Sequence, residues 1–479
     1  MHIVLSKGLN IPLKGGFSPK GTFSRLLSKS KSSASTDQHY EVTPIELYEG
    51  STFGAMLGGF PVERFALLVQ EGDSVKMGDV IAYNKACQKH RFVAPASGKI
   101  GKVHRGPKRR IVAIEIIPDS LENQTQKTWV IPHKDALIQE KIELLSQSGI
   151  LTQIRQRPFA LLPDLSVTPR AIFVNAMATG PYAPPVDLVV DGKTKEINAA
   201  LEFLKPFCSG PIHLTYSHQA KAEALLQAKH CEHHTISGPH PSGQVSVHIH
   251  HIDPIISLDD VVWTLDVEVL LSLGHLICHR ELPTHRIISI CGEGVMQERR
   301  GLYQVPVGVS VSDLMAGRCT EQSTRMLSGD PLTGLSVEPT EFLHPFHRTF
   351  SCMKSPKGRE FLHFFRLGVS KFSSHFSYLS GAQHALIGKK HYSFTTNNHG
   401  EHRAMIDGEI YQRVLPMQIP IMHLINAVLS GDLELAQELG LLEIEADDFA
   451  LPSFICPCKT EMVSLMERAL YQWGLELSS

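Results

Sequence analysis

The sequence predicts a multidomain α+β and α/β protein, and three observations carry that expectation. Between Phe65 and His104, short apolar runs are separated by the turns Gly72-Asp73 and Gly78-Asp79. Strands this short with two-residue Gly-Asp turns predict a small flattened β-barrel with its hairpins at opposite ends. From Arg170 onward strand patterns alternate with helical ones, as in a parallel sheet covered by helices. From His285 a hairpin is followed by a short helix, and the chain ends in amphipathic helices.

Taken in order, residues 1–41 read as an edge strand with a hairpin (Ile3, Leu5, Leu9 and Ile11 alternate with polar residues), then a Ser-rich loop over 18–39. Residues 42–118 read as the barrel, which resembles the biotinyl/lipoyl-carrier fold. In it Ala94–Val103 is taken as strand–turn–strand, with Gly98 permitting the turn. Residues 119–164 are a helical connector, with an amphipathic helix over Lys134–Ser148 ended by Gly149. Residues 165–284 form a Rossmann-like α/β unit: strands at Arg170–Ala176 and Pro211–Tyr216, helices at Lys195–Leu204, Ser217–His230 and Asp259–Leu273. Residues 285–345 form a β-grasp (SLBB-like) unit, with strands at Arg286–Gly292 and Gly301–Gly308 and a helix at Val311–Ala316. Residues 346–479 form a helical C-terminal domain, with helices at Pro420–Leu429, Leu433–Leu442 and Glu461–Trp473.

Composition narrows the function classes. At 479 residues and a formal net charge of −2, the chain has no global field to attract nucleic acid or an anionic membrane. No basic, apolar leader opens it and no window approaches the roughly 20 apolar residues of a spanning helix; Leu258–Ile277 comes nearest but carries Asp259, Asp260, Asp266 and Glu268. Nine scattered cysteines without a CxxC pair fit a reducing compartment and argue against an iron–sulfur cluster, which needs about four closely spaced thiolates. Cys456 and Cys458 are the closest pair.

Several residues offer chemistry, each beside a plainer reading. Lys85, in Tyr83-Asn84-Lys85-Ala86-Cys87, stands where a carrier domain presents its modified lysine, but the acidic flanks are missing and an unmodified barrel is preferred. Lys99, Lys102, His104, Arg105, Lys108, Arg109 and Arg110 form a basic cluster, read as a solvated face before a docking surface. The ligand end of the parallel sheet is expected at Asn175–Tyr182. No GxGxxG follows a strand and no GxxxxGK[ST] occurs, so no nucleotide site is expected; Gly292-Glu293-Gly294 has Gln297 where a third glycine would stand. On a strand, His248 and His250 would share one face with His251 opposite, and with His240 and Asp253 nearby a metal site is conceivable. The plainer reading is that these histidines satisfy backbone groups. Glu443, Glu445, Asp447 and Asp448 are read as a helix start before a cation site. No catalytic, cofactor-binding or metal-binding residue is selected.

The order of modules resembles the flavin-binding subunit of respiratory complex I and the RnfC protein of the Rnf complexes. Dispersed strings narrow the resemblance to the NqrA family of the sodium-translocating NADH:quinone reductases: Lys7-Gly8-Leu9-Asn10-Ile11-Pro12, Ala94-Pro95-Ala96-Ser97-Gly98, Arg105-Gly106-Pro107-Lys108-Arg109, Arg157-Pro158-Phe159, Phe173-Val174-Asn175-Ala176-Met177, His240–Pro254, Val414-Leu415-Pro416-Met417 and Ala436-Gln437-Glu438-Leu439-Gly440. The resemblance implies a peripheral subunit on the cytoplasmic face of the bacterial inner membrane. Its complex passes electrons from NADH through flavins and an iron–sulfur centre to ubiquinone and exports sodium ions. The partners implied are the other subunits of that complex, B to F. No cofactor is expected on this chain, and contact with ubiquinone is left open. Asn175-Ala176-Met177-Ala178-Thr179 lacks the acidic, Cys-bearing loop of Rnf relatives, and Cys456-Pro457-Cys458 is at most a remnant of their cluster-binding cysteines. Ala178 stands where the family pattern implies Asp.

Overall fold

The two Gly-Asp turns build the barrel as their spacing predicts. Gly72 and Gly78 both take positive φ, at 97° and 88°. In each turn the aspartate carboxylate accepts from the backbone N–H three residues earlier, Asp73 from Gln70 at 2.7 Å and Asp79 from Lys76 at 2.8 Å. The computed structural model describes residues 1–18, 40–121, 125–320, 324–355, parts of 365–397, and 402–477. The Ser-rich segment expected over 18–39 lies, apart from Ser18, outside the described residues.

The barrel consists of two sheets. Strands β3 (Phe53–Met56), β5 (Ser74–Val75), β8 (Gly98–Arg105) and β9 (Ile111–Pro118) form one, in the order β3-β9-β8-β5. Strands β4 (Phe65–Leu67), β6 (Val80–Asn84) and β7 (Cys87–Val93) form the other, in the order β4-β6-β7. Phe53, Phe60, Ile81, Phe92, Ile100 and Ile114 fill the space between them. Gly98 opens β8 instead of sitting inside a turn. A Cβ there would lie 2.1 Å from the Ile117 carbonyl oxygen, so glycine is required by the close pairing of β8 with β9. The barrel expected from Val42 gives up its first strand: β2 (Val42–Pro44) pairs in parallel with β16 (Gly301–Pro306) of another sheet.

The second unit is a six-stranded sheet made of β1 (His2–Val4), β10 (Arg155–Arg157), β11 (Ala171–Ala176), β12 (Ile212–Ser217), β13 (Glu232–Ser237) and β14 (Val262–Asp266), in the order β1-β13-β12-β11-β14-β10. All pairings are parallel except the edge strand β10. Both faces of β11 are buried over Ala171–Val174, which explains the apolar run there. Ile172, Val174 and Ala176 enter a core with α1 (Ile138–Gln147), the short α2 (Val186–Val189), α3 (Thr194–Leu204) and α6 (Val267–His279). Ala171 and Phe173 enter a second core with α5 (Val245–Ile252) and the C-terminal helices Ile421–Ser430 and Met462–Leu477.

Four further expectations from the sequence do not hold. Residues 1–17 supply the edge strand β1, but the hairpin does not form: Leu9 N–H donates to His240 and Lys14 N–H to Tyr392. Ser217–His230 is not one helix; only α4 (Glu223–Leu226) is helical, because Asp187 holds the Lys221 and Ala222 N–H groups in a turn. Asp259–Leu273 is β14 running directly into α6, and its first half is the strand beside β11. The histidine run is the helix α5, not a strand.

A third sheet adds β15 (His285–Cys291), β17 (Thr324–Ser328), β18 (Leu335–Ser336) and β19 (Thr349–Lys354) to β2 and β16, in the order β18-β17-β19-β15-β16-β2. The hairpin β15–β16 and the helix Val311–Met315 match the sequence pattern. β19, expected among helices, lies between β15 and β17 with Phe350 and Cys352 fully buried.

Candidate functional site

In a parallel sheet ligands are expected beyond the strand C-termini. Here that end of β11 is filled by the chain itself. Asn175 donates through Nδ2 to the Gly243 carbonyl at 3.0 Å and accepts from Met177 N–H. Thr179 Oγ1 accepts from Gly243 N–H at 3.0 Å and meets His240 Nδ1 at 3.2 Å. A Cβ on Gly243 would stand 2.7 Å from that hydroxyl, so the loop 238–244 sits tightly on the strand ends. A cavity of about 340 Å³ remains beside it, lined by Leu9, Asn10, Ile11, Thr179, Gly180 and His240.

The larger opening, about 660 Å³, lies where the barrel, the parallel sheet and the third sheet meet. Its volume falls in the usual range for small-molecule clefts, about 300–1,000 Å³. Leu57, Phe60, Leu343 and Phe346 give it an apolar wall, and Glu268, Arg286 and Arg348 a charged one. The junction is tied by specific contacts. Arg348 bridges the third sheet to Asp266 (3.2 Å) and Glu268 (3.3 Å) at the start of α6. Arg286 donates to the carbonyls of His344 and Pro345. His344, held neutral by burial with its pKa pushed down to about 4, is 2.8 Å from the Gly58 carbonyl of the barrel. Arg155 lies over the Phe346 ring at 4.4 Å.

Lys85 is exposed on the turn between β6 and β7, with its backbone N–H on Arg64 and no carboxylate on the turn beside it. Lys99, Lys102, Arg105, Lys108, Arg109 and Arg110 are exposed along β8 and the turn after it, while His104 is half-buried. His248 is fully buried: its Nε2–H donates to the Ser242 carbonyl at 2.9 Å and Nδ1 faces the Thr215 hydroxyl at 2.9 Å. Burial pushes its pKa down to about 4. His250 donates to Glu443 at 2.5 Å and accepts from Gln418 N–H, and His251 lies 2.8 Å from the Pro416 carbonyl. These histidines fasten α5 to the sheet and to the C-terminal segment. Glu445 and Asp448 form a reciprocal capping box at a helix start. Glu443 and Glu445 also hold buried Arg157, by the Glu443 carbonyl at 2.6 Å and the Glu445 carboxylate at 2.5 Å. Cys456 Sγ is buried 3.1 Å from the Tyr411 hydroxyl, and Cys458 Sγ faces the Ala404 carbonyl.

Among the described residues, two other groups bring metal-ligating atoms within 4.8 Å of one another: Glu196–His275–His279, beside the cleft, and His213–Glu232–His234, across β12 and β13. Sequence reasoning missed both. His213 and His234 are 21 residues apart on separate strands, and only the strand register unites them.

Comparison with known proteins gives the family. The model described as the NqrA N-terminal barrel-sandwich hybrid domain matches residues 47–119, and the NqrA second alpha/beta domain matches residues 137–282. The chain is 33% identical over 399 residues to the A subunit of the Na(+)-translocating NADH-quinone reductase of Saccharophagus degradans, covering 82% of this chain and 87% of that one. It is 32% identical to the corresponding protein of Yersinia pestis bv. Antiqua over 85% of this chain and 90% of that one. With the corresponding protein of Pasteurella multocida, 31% identity extends over 98% of both chains. Among solved structures, a chain of an NAD+-reducing NiFe hydrogenase aligns at 14% identity with a TM-score of 0.30, over 62% of this chain and 56% of that one, too low a likeness to bear on fold or function. Identity of 31–33% sustained over four fifths or more of the sequence is the measure that decides: the chain belongs to the NqrA family, the A subunits of the Na(+)-translocating NADH-quinone reductases.

Proposed function

We propose that this chain is a peripheral subunit of a Na+-translocating NADH:ubiquinone oxidoreductase, supporting reduction of ubiquinone coupled to Na+ export and carrying no redox cofactor of its own. The observation that carries this reading is end-to-end similarity to proteins named as the A subunit of that reductase. The complex, with its NADH, flavins, iron–sulfur centre and ubiquinone, is the catalyst; the chain alone is not. The filled strand ends favour this division of labour, because a dinucleotide needs an open crevice and a glycine-rich turn beside a helix N-terminus. We assign any contact with ubiquinone to the three-way cleft, whose apolar wall suits a ring and whose Arg286 and Arg348 suit its carbonyls.

We read the parallel sheet as a Rossmann-like unit, the third sheet as a β-grasp (SLBB-like) unit and the end of the chain as a helical domain, in the division 1–41, 42–118, 119–164, 165–284, 285–345 and 346–479. In this reading β1, β2 and β19 cross between units and lock them together. Attachment to the cytoplasmic face of the inner membrane is through the partner subunits B to F, since no helix among the described residues is long and apolar enough to cross a membrane. Sedimentation tests this. The chain is expected in the membrane pellet when its partners are co-expressed and in the supernatant when it is made alone. Persistent binding of the isolated chain to protein-free liposomes at physiological salt would contradict attachment through partners.

A further inference from the structure

We infer that His213, Glu232 and His234 form a binding site for a divalent late-transition-metal ion, with zinc the ion its chemistry suits best, stapling β12 to β13. Strand register places the three together. His213 on β12 lies directly opposite Glu232 on β13, and Thr215 opposite His234. Glu232 and His234, two residues apart on one strand, therefore face the same side of the sheet as His213. Three potential ligands are placed by paired backbone, the most rigid support the fold offers.

The distances agree with that placement. His213 Nδ1 and His234 Nε2 are 3.0 Å apart, and Glu232 Oε2 is 3.6 Å from the first and 3.9 Å from the second. A zinc ion sits about 2.0–2.1 Å from nitrogen and oxygen ligands, which puts neighbouring ligands of a tetrahedral or octahedral site roughly 2.9–3.4 Å apart. The observed triangle meets that condition with a movement of a few tenths of an ångström by the glutamate, whose side chain is 62% exposed and free to make it.

The chemistry of the donors agrees as well. Both rings are buried, His213 at 4% and His234 at 6% exposure. Burial lowers the pKa of each, for His234 to about 4, with the neighbouring His213 adding to the effect. Two neutral imidazoles therefore face one point with their lone pairs available, and the carboxylate offsets part of a dication's charge. Other charges are close: Asp253 and its ion-pair partner Arg170 act on His213, and the N-terminal ammonium acts on His234. The exposed Glu232 gives the ion its route from solvent and leaves a remaining position for water. The alternative is a simple N–H···N bond between the two rings. That arrangement makes no use of Glu232, and it leaves His213 Nε2 and His234 Nδ1 buried without partners just as the metal does.

The test uses the untagged full-length chain, freed of metal by a chelator and titrated with Co2+ as a spectroscopic probe, then with Zn2+. Expected are one Co2+ per chain, visible ligand-field bands, their loss on Zn2+ addition, and a raised thermal midpoint with either ion. Glu232→Gln, at an exposed position, is expected to keep the fold and weaken binding by at least the roughly 10–100-fold that loss of an outer-shell partner costs. His234→Gln is expected to abolish the bands, and His279→Gln to leave them unchanged. Absence of stoichiometric binding, or binding indifferent to Glu232→Gln, overturns the inference in favour of the ring–ring hydrogen bond. Bands lost in His279→Gln instead would put the metal on the other cluster and overturn it equally.

Discussion

At the scale of single residues, Arg157 carries more than its sequence position suggests. It is 0% exposed, and besides Glu443 and Glu445 it donates to Ser246 Oγ at 3.0 Å, joining β10, α5 and the C-terminal segment. Removing one partner of a fully buried ion pair costs about 3–5 kcal/mol. Glu445 is 24% exposed, so water recovers part of that, and Arg157→Ala is expected to cost about 3 kcal/mol, read as a lowered urea midpoint. An unmoved midpoint would show that the carboxylate and carbonyl need no counter-charge. The buried histidines set the pH response. His240, His248 and His344 all have pKa values pushed down to about 4 by burial. An imidazole whose folded pKa lies below its unfolded value near 6.5 adds stability that is full above 6.5 and lost as the pH falls to 4. Asp448 acts in the opposite sense. Burial, and then Glu445, raise its pKa to about 6, so its contribution is full below about 4 and lost as the pH rises through 6. The three imidazoles outweigh the two raised carboxylates, Asp448 and its neighbour Asp447, whose exposed side chain counts for less: the thermal midpoint is expected to drop between pH 7 and pH 5, and a rise on acidification would contradict the buried neutral imidazoles.

At the scale of elements, Gly274 shows packing overruling propensity. Alanine in a helix interior is worth about 1 kcal/mol over glycine. A Cβ at Gly274, however, would lie 2.0 Å from the Glu196 carbonyl oxygen, where α6 crosses α3. Forcing the helices apart costs about 1–3 kcal/mol or more, so Gly274→Ala is expected to lower the thermal midpoint; a gain would mean that the crossing yields easily. Elements with one clean period were legible in the sequence: the Gly-Asp turns, β11, α3, the hairpin β15–β16 and the C-terminal helices. Two others were not. β14 and α6 share one largely apolar stretch, Val261–Leu273, with no Gly or Pro between them, and the join at Asp266 has no side-chain cap. α5 alternates His and Ile as a strand would. It is pressed between the sheet and the C-terminal helices, so apolar residues surround it and the helical period is blurred. Glu445 and Asp448 were read correctly as a helix start, whereas Arg157, their buried neighbour, is 288 residues from Glu445 and gave no local signal.

At the scale of the whole molecule, the described structure is a junction: a barrel and two sheets meet around one cleft, with Arg348 and His344 tying the parts. What was legible in the sequence was a barrel followed by an α/β domain. The cleft was not, because its walls come from segments as far apart as Gly54 and Arg348. Nor was the way β1, β2 and β19 pass from one unit to another, since short strands carry no sign of their partners. A junction whose strand ends are filled by the chain itself accords with the role proposed above, at the quinone end of the electron path. The most direct test is to compare the complete complex with one lacking this chain, measuring both ends of the path. The deficient complex is expected to pass electrons from NADH to a soluble artificial acceptor as before. It is expected to fail in reducing ubiquinone and in driving Na+ uptake into inverted vesicles. Survival of ubiquinone reduction without the chain, or loss of both activities together, would contradict a role confined to the quinone end.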